Sequence, residues 1–140
     1  GEVHYLQDLR LGEGVELLAY EVDDLLVAPG GAVDLTLYWA ARLEIEEDYT
    51  VFTHLIDAED GLWAQQDNRP GGGERPTSGW REGEVVADRY HLVLPDDIPV
   101  GRYRLEVGMY EWQTGERLRV IEGEEEAGNR VLLAPEITVE

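Results

Sequence analysis

The chain predicts an all-β fold in which two antiparallel sheets pack face to face, and three observations carry that prediction. Runs with a period of two, rich in Val, Leu, Tyr and Trp, recur at roughly ten-residue spacing along the sequence. Gly, Pro and Asp-Gly signals separate them, and no segment shows the 3.6-residue period of a helix. The third is Pro99–Tyr110, PVGRYRLEVGMY, where Tyr103, Leu105, Val107 and Met109 fall on one side and Arg102, Arg104, Glu106 and Tyr110 on the other. A Tyr at the mouth of such a strand is placed for a tyrosine corner, its hydroxyl returning to the preceding crossover. Together these give one domain over residues 1–140, an immunoglobulin-like antiparallel β-sandwich of about eight strands. No internal repeat interrupts it.

Taken in order, residues 1–14 read as an N-terminal arm anchored by Tyr5 and Leu6 and leaving through Gly12 and Gly14. VELLAY (15–20) is the first firm strand. Asp23 and Asp24 interrupt it, and Pro29, Gly30 and Gly31 turn the chain into VDLTLYWAAR, whose Val33, Leu35, Leu37 and Trp39 face a core. An acidic connection (43–48) leads to YTVFTHLID (49–57). Both faces of that strand are apolar, Val51 and Leu55 on one and Phe52 and Ile56 on the other, as in a strand covered on both sides.

Asp60-Gly61 marks a hairpin, and LWAQQD is its return strand. The long loop, residues 68–84, carries five Gly and two Pro and no periodicity, which points to a functional or irregular segment. VVADRYHLVLP (85–95) is again a strand, with Val86, Tyr90, Leu92 and Leu94 in phase. Asp88 shares that phase and is expected near the strand end. After Pro99–Tyr110, Gly115 turns EWQTGE into RLRVI, and 122–129 reads as a solvated acidic loop. VLLAPEITVE closes the sheet, Pro135 marking a bulge or an edge.

Composition narrows the function. With 31 acidic residues against 11 basic the formal net charge is −20, and every cation is Arg. Such a surface repels phosphate backbones and anionic lipid, which argues against nucleic-acid partners. The sequence has no apolar run of membrane-spanning length and no signal peptide, so no membrane insertion is expected of this fragment. The chain begins Gly1-Glu2 and reads as a piece of a longer protein. Cysteine is absent, which removes disulfides and thiolate sites.

Most catalytic templates fail. Ser78, the single serine, has no glycine-flanked nucleophile setting, and His4, His54 and His91 show no metal-ligand spacing. His54 reads as a buried or interface imidazole. GGG at 71–73 precedes Glu74 and Arg75, not the Lys and hydroxyl of a phosphate loop. DAEDG (57–61) lacks calcium-loop spacing and reads as a turn; a hard-cation site drawn from Asp57, Asp67 and Asp88 is the weaker alternative. No catalytic residue, cofactor or metal is assigned, and the chain is read as not an enzyme. For ligand contact the candidates are Trp80, Trp112 and Trp63, with Arg75, Arg81 and Asp67 as polar partners, because exposed indoles stack on sugar rings. Trp80 also reads as the apolar anchor of its loop, and Trp112 as the exposed tryptophan at a hairpin tip.

LTLYWAA, YTVFTHLIDAEDG, RPTSGWREGEVVADRYHLVLP and GRYRLEVGMYEWQTGERL carry a resemblance. Over about residues 15–140 the chain resembles the C-terminal extracytoplasmic β-sandwich domain of bacterial membrane proteins related to dolichyl-phosphate-mannose-type protein mannosyltransferases. The resemblance implies a non-catalytic accessory domain of a glycosyltransferase-like enzyme on the extracytoplasmic face of a bacterial membrane. Its partners would be the glycan or protein substrate of that parent. A free-standing carbohydrate-binding module is the alternative, and a carboxylate-based hydrolase the third reading.

Overall fold

The structure, a computed structural model, describes residues 1–140 and is a β-sandwich of two sheets. Its strands are β1 (Val3–Tyr5), β2 (Leu9–Leu11), β3 (Val15–Asp23), β4 (Leu26–Val27), β5 (Ala32–Ala41) and β6 (Tyr49–Ile56). They continue as β7 (Leu62–Asn68), β8 (Val85–Val93), β9 (Gly101–Glu111), β10 (Val120–Glu122), β11 (Glu125–Glu126) and β12 (Val131–Val139). One sheet runs β11-β10-β2-β3-β5-β8 with β1 also on β3; the other runs β4-β12-β9-β6-β7. All pairings are antiparallel except β12 with β4. A single 3-10 turn, Thr77–Gly79, is the helical content.

The strand count exceeds the expected eight because β1, β2, β4 and β11, each of two or three residues, add edges too short to show a period. Residues 1–14, expected as an arm anchored at Tyr5 and Leu6, are paired with the sheet through β1 and β2, and Leu6 packs against the core. Leu9 and Leu11 anchor them in the core, whereas Tyr5 stands in solvent. The acidic run 122–129 likewise holds the β10–β11 hairpin, exposed as its charge demands.

The core forms where the alternation said it would. Val33, Leu35, Leu37 and Trp39 of β5 face Leu92, Tyr90, Asp88 and Val86 of β8 in register, and all eight are buried. Tyr103, Leu105, Val107 and Met109 supply the opposite layer. The tyrosine corner is made: the Tyr103 hydroxyl donates to the Pro99 carbonyl at 2.6 Å, tying the entry of β9 to the preceding crossover.

Asp88 lies mid-strand and fully enclosed, not near the strand end. Its carboxylate accepts from the Trp39 indole Nε1 (3.0 Å) and the Gly71 backbone N–H (2.8 Å). A charged group on a core face is tolerable only with such donors. Here they come from a neighbouring strand and from the long loop.

The side of β9 expected in water is also partly covered. Phe52 of β6 lies across Gly108 of β9, where a Cβ would come within 2.5 Å of the ring, and the Arg117 guanidinium sits 4.1 Å above its centroid. That cation on the ring face buries Phe52 on the outer side of its sheet. Glu106, next along the same face, is buried as well.

Pro135 marks a bulge in β12: the register with β9 slips between Leu132 and Glu136. The slip frees backbone groups, and side chains take them up. Arg104 Nε and Nη2 both donate to the Leu133 carbonyl, at 3.0 and 2.8 Å, and the Ala134 N–H donates to the Tyr20 hydroxyl at 3.3 Å. Pro135 has no N–H to satisfy. At the opposite margin of the sandwich Gln66 of β7 accepts the His91 N–H of β8 through Oε1 at 2.6 Å, stitching the edge of one sheet to the edge of the other.

Candidate functional site

The residues singled out from sequence do not converge. Trp80 is only 4% exposed; its Nε1 donates to the Arg75 carbonyl at 2.8 Å and its ring joins the core. A face packed that way cannot stack on a ligand, so the platform expected at Trp80 gives way to the loop-anchor reading. The rest of the loop is pinned in the same manner. Gly71 is held by Asp88, and the Thr77 hydroxyl donates to the Glu47 carbonyl and accepts from the Tyr49 N–H. The Ser78 N–H donates to Asp48 Oδ1, and Ser78, through its side chain first and its N–H second, holds the Asp48 carboxyl below its ordinary range. Arg75 pairs with Glu84 at 3.0 Å, and Arg81 is exposed beside it with its backbone N–H on Glu84.

Trp63 is committed too. Its indole donates to Asp57 Oδ2 at 2.9 Å and its ring meets Tyr103 edge-on at 6.5 Å. Asp57 also accepts the Glu59 and Gly61 N–H groups through Oδ1. These donors, the Trp63 indole first, hold the Asp57 carboxyl low. DAEDG is thus a turn closed by its own aspartate, with Asp60 at φ 63°. Asp67 accepts from the Tyr110 hydroxyl at 3.0 Å and lies 3.8 Å from His54 Nε2. Asp57, Asp67 and Asp88 serve three separate tasks and form no common pocket.

Trp112 remains. At 69% exposure it projects from the tip of the β9–β10 connection. Beside it is a recess of about 260 Å³ lined by Trp112, Gln113, Glu111, Glu47, Asp48 and Arg69. The β6–β9 register explains the assembly: Tyr49 opposite Glu111 brings the acidic connection under the hairpin tip, and Arg69 arrives at the end of β7. One free aromatic face is therefore surrounded by three carboxylates, an amide and a guanidinium. Sequence reading found the indole but not its companions, since Glu47, Asp48 and Arg69 lie more than forty residues away; only the strand register, which the sequence leaves open, joins them.

His54 occupies the middle of the outer face of the five-stranded sheet, with Asp67 3.8 Å from Nε2 and Glu106 3.8 Å from Nδ1. Burial draws its pKa below the ordinary 6.5 against the pull of those two carboxylates. The carboxyl that burial raises is Asp88, which is sealed in the core and reaches no substrate.

No family model matches the chain, and no curated protein matches it. Solved structures do. The chain is similar to the C-terminal domain of wzt, at a TM-score of 0.59 and 12% identity over 94% of this chain and 77% of that one. It is similar to the CARDB domain of the PF1109 protein from Pyrococcus furiosus, solved with di-metal ions, at a TM-score of 0.50 and 13% identity over 93% and 92%. Pseudomonas fluorescens alkylpurine DNA glycosylase AlkC, solved on DNA containing an abasic site analog, matches at 0.51 and 12% identity, over 94% of this chain but 30% of that one. At such identities the likeness is one of fold: a β-sandwich domain. No helix is long and apolar enough to cross a membrane.

Proposed function

We propose that this β-sandwich is a non-catalytic accessory domain that contacts the glycan of a membrane-bound, glycosyltransferase-like parent on its extracytoplasmic side. The observation that carries the reading is the Trp112 recess. A pyranose ring offers one apolar C–H face and a rim of hydroxyls. An exposed indole takes the face, while Glu47, Asp48 and Glu111 accept from hydroxyls and Arg69 and Gln113 donate to them. The sandwich likeness to the C-terminal domain of wzt supports an appended-domain architecture. The sequence resemblance supports the glycosyltransferase context.

Glycan-array binding followed by calorimetry tests it. Trp112→Ala is expected to weaken binding roughly tenfold or more, as loss of an aromatic anchor does, with folding unchanged. Glycan binding indifferent to Trp112, or none across the array, overturns the reading. The reading frame that encodes the domain tests the context: an array of apolar spans in the same polypeptide is expected.

A further inference from the structure

A second cleft lies toward the far end of the five-stranded sheet. Tyr49 of β6 stands opposite Glu111, near Trp112, whereas Ile56 at the other end of β6 stands opposite Arg104. Seven residues of extended chain put these places about 23 Å apart. The cleft at the Ile56 end measures about 640 Å³, within the range of small-ligand pockets. It is shaped by the Pro135 bulge, which carries β12 away from the β9 ladder between Leu132 and Glu136.

Its walls alternate in chemistry. Arg102, Arg104 and Arg130 are three of the eleven cations of the chain, and they are interleaved with Asp57, Asp60 and Glu136 over an apolar floor that includes Ile56 and Tyr103. The cleft is therefore electrically balanced on a molecule of net charge −20. Several of these groups are already engaged: Asp57 closes its turn, Arg130 donates to Asp60 at 2.9 Å, and Arg104 spends Nε and Nη2 on Leu133. Arg102 and Glu136 have no partner, and Arg104 keeps Nη1. At the margin, Glu106 is only 6% exposed and its Oε2 has no hydrogen-bond partner; Oε1 lies 3.6 Å from Arg130 Nη1. A buried carboxylate oxygen without a donor is costly. A donor is what this margin lacks.

Resting on the accessory-domain reading, we infer that the bulge cleft is a second ligand site, and that it takes an uncharged polyhydroxylated ring. Vicinal hydroxyls both donate and accept, so they match neighbouring guanidinium and carboxylate groups without bringing net charge. An anionic sugar or a phosphate would gain from Arg102 but would enter against the field of the whole protein. Rigidity favours the site as well, because the Tyr103 corner and the Arg104 clamp hold both sides of the cleft in place before any ligand arrives. Two sites on one domain would let a long glycan bind more tightly than a short one.

The test is a titration of the 15N-labelled protein with a panel of neutral methyl glycosides and, separately, with glucuronate, followed by amide and indole resonances. Neutral glycosides are expected to shift the amides of Arg102, Leu132 and Glu136 saturably. Arg102→Ala and Glu136→Gln, both at exposed positions, should each weaken that response roughly tenfold while the Trp112 indole response persists. Trp112→Ala should do the reverse, so failure at one site is distinguishable from failure at the other. Absence of saturable shifts at the bulge with every neutral glycoside, or tighter binding of glucuronate than of the neutral panel, overturns the inference.

Discussion

Two buried carboxylates, Asp88 and Glu106, sit in the two halves of the sandwich, and the difference between them separates scaffold from surface. Asp88, on the core face of β8, is met by the Trp39 indole and the Gly71 N–H, one from a strand and one from the long loop. It joins local structure to distant structure, and nothing outside the molecule can reach it. Glu106, on the outer face of β9, is nearly as buried, yet one of its oxygens is unmatched and its neighbours Arg130 and His54 stand at 3.6 and 3.8 Å. Where a buried charge is fully partnered it fixes the fold; where it is half partnered it leaves chemistry available at a surface.

The comparison breaks most severely if the loop around Asp88 is not a structural clamp. Trp80→Ala should cost about 3–5 kcal/mol, in the range of aromatic truncations in cores, read from urea denaturation. A loss below about 1 kcal/mol would mean that the loop holds itself without its anchor. Next, Asp88→Ala leaves the Trp39 and Gly71 donors unmatched and should cost about 2–3 kcal/mol, with faster proteolysis at Gly71–Gly73. Glu106→Gln, by contrast, removes a charge that lacks a full set of donors. Its effect on stability should stay within about 1 kcal/mol of zero; a loss equal to that of Asp88→Ala would erase the distinction.

Smaller still is a pH effect at His54. Burial lowers its folded pKa below 6.5, so the unfolded chain takes up the proton first as pH falls. Its contribution is whole above 6.5 and declines as pH drops through the window between that value and the lowered one. Urea midpoints between pH 7.5 and 5 should therefore fall more steeply for the native protein than for His54→Gln. Equal slopes would show that the Asp67 and Glu106 charges cancel the burial penalty. Asp48 and Asp57 act lower down: their contributions hold above the ordinary carboxylate value of 3.8 and are lost in more acid solution.

Most of the long strands were legible because they obey a period of two, β6 because its run is apolar on both faces and rich in β-branched and aromatic residues, and the tyrosine corner because its spacing is local. Pro135 announced a bulge or an edge, and the register slip between Leu132 and Glu136 makes it a bulge. What escaped was whatever depends on pairing partners. Asp88 looked misplaced on an apolar face because its donors, Trp39 and Gly71, come from elsewhere in the chain. Glu106 looked solvated because alternation reports which face a residue takes and not what covers that face. The short edges β1, β2, β4 and β11 escaped because two or three residues hold no pattern. Of the candidate site, the exposure of Trp112 was readable from its hairpin tip, while its companions depended on register.

The stitch between Gln66 and His91 gives the domain a closed seam along one flank. The other flank is held differently: the two residues of β4, carried between β3 and β5, are bound to β12 through the Thr138 and Glu140 N–H groups on the Leu25 and Val27 carbonyls, and the Ala134 N–H reaches the Tyr20 hydroxyl, while Leu25 and Leu26 stand in solvent. Thermal opening should then begin like a book lifted from its more lightly sewn side, where the strand is two residues long, with amides near β4 exchanging with deuterium before those of β7 and β8. A mechanical pull on the domain would meet the same asymmetry.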